Sequence, residues 1–254
     1  MRILIVTQYF WPENFKINDF ALGMKKLGHH ITVLTGKPNY PSGNFFNGYK
    51  FLNKRTEFYE GIEVIRSPLF TRGKSNGVRL FLNYFSFAFF SCFTALFRVR
   101  GKFDVVFVYE PSPVTVGIPA IVLKWKFEIP LFFWVQDLWP ETVQAAGMIN
   151  NRFLLGTLNK LVSYIYKKSD KIFISSMSFA GSICQKKIST SRIVYFPNWP
   201  EEIYLNTKID KERYSGLMPA GFKIMFAGNI GEAQDFDSIL MTANLLKVIK
   251  IYNG

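Results

Sequence analysis

Short runs of β-branched and aromatic residues recur along this chain, each followed by a loop and then a stretch of helical periodicity. That alternation is the pattern of parallel strands joined by crossover helices. Strands are expected at Ile3–Thr7, Ile31–Thr35, Glu63–Ser67, Val105–Tyr109, Leu131–Val135, Lys171–Ile174 and Arg192–Phe196. Most are apolar on both faces, as strands covered by helices on two sides must be. Helices are expected at Phe15–Leu27, closed by Gly28 as a left-handed cap, and at Leu80–Phe97, Asn151–Lys168 and Ser178–Lys187. The fold class is α/β, a Rossmann-like doubly wound parallel sheet.

In such a sheet, ligands gather where loops leave the carboxyl ends of the strands. The chemically informative residues fall in those loops. Trp11, Glu13 and Asn14 follow the first strand, Asn39 and Tyr40 the second, Glu110 the fourth, and Gln136, Asp137 and Glu141 the fifth. Asp137 is placed either to receive a substrate hydroxyl or to cap its own turn. Trp11 offers a flat face to a sugar ring or anchors packing. Glu141, next to Pro140, contributes to the cleft or simply begins a helix.

Other chemistries find little support. Cys92 and Cys184 stand far apart in the 254 residues, so neither a disulfide framework nor a thiolate zinc site is implied. His29 and His30 point to opposite faces on entering a strand and lack a third ligand, so no metal is expected. Ser112, Ser175 and Ser176 have no nearby His to activate them. The opening apolar run, Ile3–Val6, is too short for a signal peptide, so a cytoplasmic protein is expected.

The net charge of +13 favours an anionic partner. With 27 Phe in the chain, an anionic membrane surface is expected rather than nucleic acid. The Phe-rich stretch Leu80–Phe97, flanked by Arg79, Arg98 and Arg100, carries most of that expectation. Asn83, Ser86, Ser91 and Thr94 dilute its apolarity, and the following strand must rejoin the same sheet, which disfavours spanning. A peripheral helix with an aromatic edge on the inner face of the cytoplasmic membrane is the expectation.

Composition shifts to charge and turn residues after Asn198. A first domain over 1–198, a linker over 199–221 and the start of a second Rossmann unit over 222–254 are therefore expected. In that unit a strand at Lys223–Ala227 would run into Gly228, Asn229 and Gly231 and a helix from Asp235.

Taken together, Thr35-Gly36-Lys37-Pro38-Asn39-Tyr40-Pro41-Ser42-Gly43, Gln136-Asp137-Leu138-Trp139-Pro140-Glu141, Pro197-Asn198-Trp199 and Phe226-Ala227-Gly228-Asn229-Ile230-Gly231 resemble family 4 glycosyltransferases. Among them the likeness is to the WbuB-like amino-sugar transferases of bacterial O-antigen and capsule assembly. The resemblance implies a GT-B fold and retaining transfer from a nucleotide sugar, UDP-linked in expectation, with no cofactor or metal. It also implies a lipid-diphosphate-linked saccharide acceptor. It makes Asp137 the catalytic residue, and Trp11, Glu13, Asn14, Asn39, Tyr40, Glu110, Gln136 and Glu141 acceptor contacts. It makes Gly228, Asn229 and Gly231 donor contacts. Gln136 stands where many relatives have His, which removes a titrating base and leaves an orienting amide. The family's donor domain carries a basic residue and a paired-glutamate motif that the resemblance places beyond the last residues of this chain, so the chain as given is expected to be truncated and inactive alone. A UDP-sugar 2-epimerase-like enzyme and a non-catalytic membrane-docking fragment are the alternatives.

Overall fold

The computed structural model describes residues 1–74, 77–145, 151–200, 224–228, 230 and 234–246. Eight strands form one sheet: β1 (Arg2–Val6), β2 (His30–Gly36), β3 (Thr56–Tyr59), β4 (Ile62–Ser67), β5 (Val105–Glu110), β6 (Leu131–Val135), β7 (Lys171–Ile174) and β8 (Ile193–Tyr195). Their spatial order is β3-β4-β2-β1-β5-β6-β7-β8, and every pairing is parallel except β3 with β4. The order reverses between β1 and β5, and in sheets of this class the crevice outside the carboxyl ends at such a reversal is where ligands bind. All seven expected strands before residue 198 are present. The eighth, β3, is a four-residue edge strand that turns back on β4 through Glu60 and Gly61, both at positive φ. It is half exposed and too short to show a period of two.

The helices are α1 (Lys16–Lys26), α2 (Gly77–Phe97), α3 (Gly117–Phe127), α4 (Glu141–Ala145), α5 (Arg152–Lys168), α6 (Phe179–Gln185) and α7 (Phe236–Leu246). Gly28 takes φ +85 just after α1, and its N–H closes on Lys25 O. The Asn151 side chain caps α5 by accepting from the N–H groups of Phe153 and Leu154. Helix α3 was not expected. It packs beside both α2 and α5, so its apolar residues run round the whole cylinder and the 3.6-residue signal disappears.

Two cores lie on the two faces of the sheet. One gathers Leu4, Val6, Val106, Val108 and Phe133 under Phe87 of α2, Leu123 of α3 and Ile165 and Tyr166 of α5. The other has only α1, with Ile17, Phe20 and Ala21, to cover Ile5, Val33, Val64 and Phe107. Aromatic rings fill what one helix leaves open: Trp134 stacks on Trp199 at 5.7 Å, and Phe173 and Phe196 close in beside them. Part of the chain's aromatic surplus is thus spent inside.

Helix α2 reverses the usual amphipathic order. Its polar residues Asn83, Ser86, Ser91 and Thr94 are buried, whereas Phe81, Phe85, Phe89, Phe93 and Phe97 stand out into solvent at a spacing of four. By length and composition it is long enough to cross a membrane, but its inner face is seated on β2, β4 and α3.

The strand expected at Lys223–Ala227 is not found over 224–227, which are exposed and carry no strand ladder. No neighbouring strand pairs with them among the described residues, and a lone strand has nothing to receive its backbone hydrogen bonds. Lys223 and most of the expected linker, 201–221, lie outside the described residues, so the expected domain boundaries rest on sequence.

Candidate functional site

The loops at the carboxyl edge form two groups on either side of the β1/β5 reversal. The first joins the loops after β1, β2 and β4. Glu13 reaches across from the β1 loop, and its Oε1 accepts from the N–H groups of Asn39 and Tyr40, each at 2.8 Å. Its Oε2 is buried without a partner among the described residues. Burial pushes the carboxyl up to about 7, against the pull of those two N–H groups and of Arg66. Asn39 is wholly buried. Its Nδ2 donates to Lys37 O, and its Oδ1 accepts from Asn83 Nδ2 and the Arg72 N–H. Glu13 and Asn39 therefore hold loops together, with both side chains buried.

Trp11 likewise turns away from the crevice, stacking on Tyr59 at 4.8 Å. Of its two sequence readings, the structure supports the packing anchor. Arg66, fully buried, explains why that loop is firm: it donates to Trp11 O, to Gly36 O and to the Glu57 carboxylate. Asn14 is exposed. Tyr40 faces the crevice, with its ring 5.8 Å from Tyr9 and 5.3 Å from Phe15.

Sequence reasoning passed over four residues of this group. Gln8 donates to Asn83 Oδ1 at 2.7 Å, and Asn83 in turn donates to Phe70 O at 2.6 Å, so the buried face of α2 ties the β1 and β4 loops together. Arg72 lies with its guanidinium 5.0 Å from the Tyr40 ring and 5.9 Å from Tyr9. Tyr84 stands beside Tyr9 and Ser112, its phenol held up by burial. Arg72 was legible in principle, since it sits in a loop leaving a parallel strand.

The second group comes from β5 and β6. Glu110 ends β5 wholly buried, with both carboxylate oxygens unpartnered among the described residues. Burial, and then repulsion from Asp137, push its carboxyl well above the usual range. Asp137, partly buried, accepts from Thr142 Oγ1 at 3.2 Å, and burial raises it despite that bond. Gln136 Oε1 accepts from Asn198 Nδ2 at 2.8 Å.

Glu141 opens α4 but points to α6, where Ser182 Oγ and Lys186 Nζ donate to it. Burial works to raise its carboxyl, yet Ser182, its own N–H and Lys186 outweigh this and lower it. It stays ionised in an internal ion pair, with its charge directed to Lys186 and not to the crevice. Among the described residues no three of His, Cys, Asp or Glu come together as a metal site would require.

Of the three residues expected at a donor site, Asn229 and Gly231 lie outside the described residues, and Gly228 is exposed. Helix α7 follows, with the Asp235 carboxylate accepting from the Ser238 hydroxyl at 2.7 Å at its start.

Comparison with known proteins gives a consistent picture. Residues 16–199 match the family described as "Glycosyl transferase 4-like domain". The chain is 23% identical over 261 residues to WcaI of Escherichia coli (strain K12), named as a colanic acid biosynthesis glycosyl transferase, covering 97% of this chain and 63% of that protein. It is 21% identical over 159 residues to WbjE of Pseudomonas aeruginosa, named as a glycosyltransferase, covering 61% of this chain and 40% of WbjE. The chain thus spans less than two thirds of the length of these relatives. In three dimensions it resembles HepE of Anabaena, solved with UDP and glucose, at a TM-score of 0.51 and 11% identity over 85% of this chain and 50% of that one. That likeness is one of fold, and the fold is GT-B.

Proposed function

Because the chain belongs to the glycosyl transferase 4-like family, we propose that it is the acceptor-side half of a retaining glycosyltransferase. On this reading it takes a hexosamine-type sugar from a UDP-linked donor to a lipid-linked saccharide at the inner face of the cytoplasmic membrane. The observation that carries the reading is the carboxyl pair at the β5/β6 edge: Glu110 wholly buried at the end of β5, and Asp137, only partly buried, just after β6. A single charged carboxylate at a sheet's carboxyl edge can orient an attacking hydroxyl by hydrogen bonding. In a retaining front-face displacement the departing phosphate takes the acceptor's proton, so Asp137 positions and does not need to act as base. Gln136, tied to Asn198, orients a neighbouring hydroxyl, while Tyr40 and Tyr84 supply walls.

Membrane contact is supported by the outward phenylalanines of α2 together with the net charge of +13. The donor contacts at Gly228, Asn229 and Gly231 belong to the same proposal and rest on the sequence likeness. Roles for Glu13, Asn39, Trp11 and Glu141 are kept to positioning, for the reasons of geometry above.

The test is incubation of radiolabelled UDP-GlcNAc with bacterial membranes and this chain, alone and co-expressed with the remaining length of a relative such as WcaI. Label in the lipid extract that depends on this chain and on Asp137 supports the reading. Conversion of the UDP-sugar to its 2-epimer without acceptor would replace it with the epimerase alternative. No chain-dependent label in either arrangement would count against it.

A further inference from the structure

One apolar pocket opens beside the crevice. It encloses about 380 Å³ between Phe81, Tyr84 and Phe85 of α2, Trp139 before α4, and Leu154 and Leu158 of α5. Building on the transferase reading, we propose that this pocket holds the hydrocarbon chain of the acceptor lipid, with the acceptor's phosphate on Arg72.

Three observations meet there. At the mouth, Phe81 and Phe85 line the pocket while remaining 64% and 58% exposed, stacked 6.0 Å apart. They are the first two members of the outward row that continues to Phe89, Phe93 and Phe97, so the pocket adjoins that exposed aromatic row. Deeper in, Tyr84 and Trp139, with rings 6.2 Å apart, line the pocket, both largely buried. Tyr84 is hydrogen-bonded to Tyr9, and the Arg72 guanidinium lies 5.9 Å from the Tyr9 ring. The Arg72 side chain has no carboxylate partner among the described residues, and its Nε is buried with no acceptor.

A buried guanidinium donor left without an acceptor is costly, and an apolar pocket left to water is costly too. One kind of molecule relieves both: an amphiphile with a long apolar chain and an anion at one end. A neutral lipid leaves Arg72 unmatched, and a free phosphate leaves the pocket empty. Phosphate oxygens fit the guanidinium fork. The pocket is at the small end of ligand sites, so it takes the first part of the chain and the rest lies along the phenylalanine row.

Calorimetry on the purified chain tests this with farnesyl diphosphate below its micellar concentration, inorganic pyrophosphate and farnesol. Farnesyl diphosphate should bind at least tenfold tighter than either fragment. Arg72→Gln should weaken both diphosphates by about tenfold, a charge-assisted hydrogen bond's worth. Leu154→Glu, at a half-exposed position on the wall, should weaken farnesyl diphosphate and leave pyrophosphate unchanged. Should Leu154→Glu melt early, Thr157→Glu on the same wall serves in its place. Equal affinity for farnesyl diphosphate and pyrophosphate overturns the pocket, and equal affinity for farnesyl diphosphate and farnesol overturns Arg72. Sugar transfer without selective farnesyl diphosphate binding sinks this proposal and spares the enzyme reading; selective binding without transfer does the reverse.

Discussion

Glu13→Gln should exchange a pH-sensitive joint for an insensitive one, and the sign of its effect should change with pH. Burial raises the Glu13 carboxyl from its ordinary 4.5 to about 7 in the folded chain. Folding therefore favours the protonated acid: its stability contribution is fully present below 4.5 and is lost as pH rises through 7. The full loss, reached near pH 8.5, is about 3 kcal/mol at about 1.4 kcal/mol per pH unit. Gln keeps one oxygen to accept from Asn39 and Tyr40, but places an NH2 where Oε2 has no partner. That costs about 1–2 kcal/mol at any pH. The variant should be less stable than wild type at pH 5 and more stable at pH 8.5. For a chain of this size the swing is about 6–12 °C in melting temperature. Glu110 shifts in the same direction in both proteins and cancels in the difference. Thermal melts followed by circular dichroism from pH 5 to 8.5 measure it. A melting difference constant across that range would refute the burial argument, whatever its sign.

Arg66→Met removes three hydrogen-bonded contacts from a fully buried cation and leaves the Glu57 carboxylate with the Tyr49 phenol but without its cation, so urea titration should show a loss of about 3–5 kcal/mol. Gly36→Ala would bring a methyl within 2.6 Å of Leu69 and 2.9 Å of Gln8 O, and the same titration should show a loss of about 1–3 kcal/mol. Asp137→Ala should cut chain-dependent sugar transfer about a hundredfold, with a melting temperature close to wild type. Retained transfer would reduce Asp137 to its bond with Thr142. Replacing Phe85 and Phe93 by Ser should leave folding intact, since both are about half exposed, yet lower sedimentation with anionic vesicles. Early melting of that pair would place them in the core instead.

The parallel strands were legible because strands buried on both faces are written as unbroken apolar runs, as Val105 to Tyr109 and Leu131 to Val135 are. The site's location followed from the same reading, since the loop residues come at fixed places after those runs. What each loop residue does was not legible. Glu13 and Asn39 sit in the right loops but are buried by contacts from elements far away in sequence, Asn83 among them. Asn83 itself was read as diluting an apolar helix, although its polarity serves the β1 and β4 loops. Tyr84 becomes notable only when the fold sets it beside Tyr9, whereas Arg72 had a sequence signal in its place after a parallel strand. Helix α3 hid behind its own burial, and β3 behind its brevity.

The inside-out arrangement of α2 sets a rule for how this segment can vary. Each residue advances the helix by about 100°, so one inserted or deleted residue before Asn83 would rotate the remainder by that angle. Asn83, Ser86, Ser91 and Thr94 would then leave the sheet, while phenylalanines too large for their places turned in. Outward substitutions change only what touches the surroundings, whereas a change of length takes the hydrogen bonds from Gln8 and Phe70 with it. In a library of variants, α2 should accept many side chains at 81, 85, 89, 93 and 97 and no change in residue count.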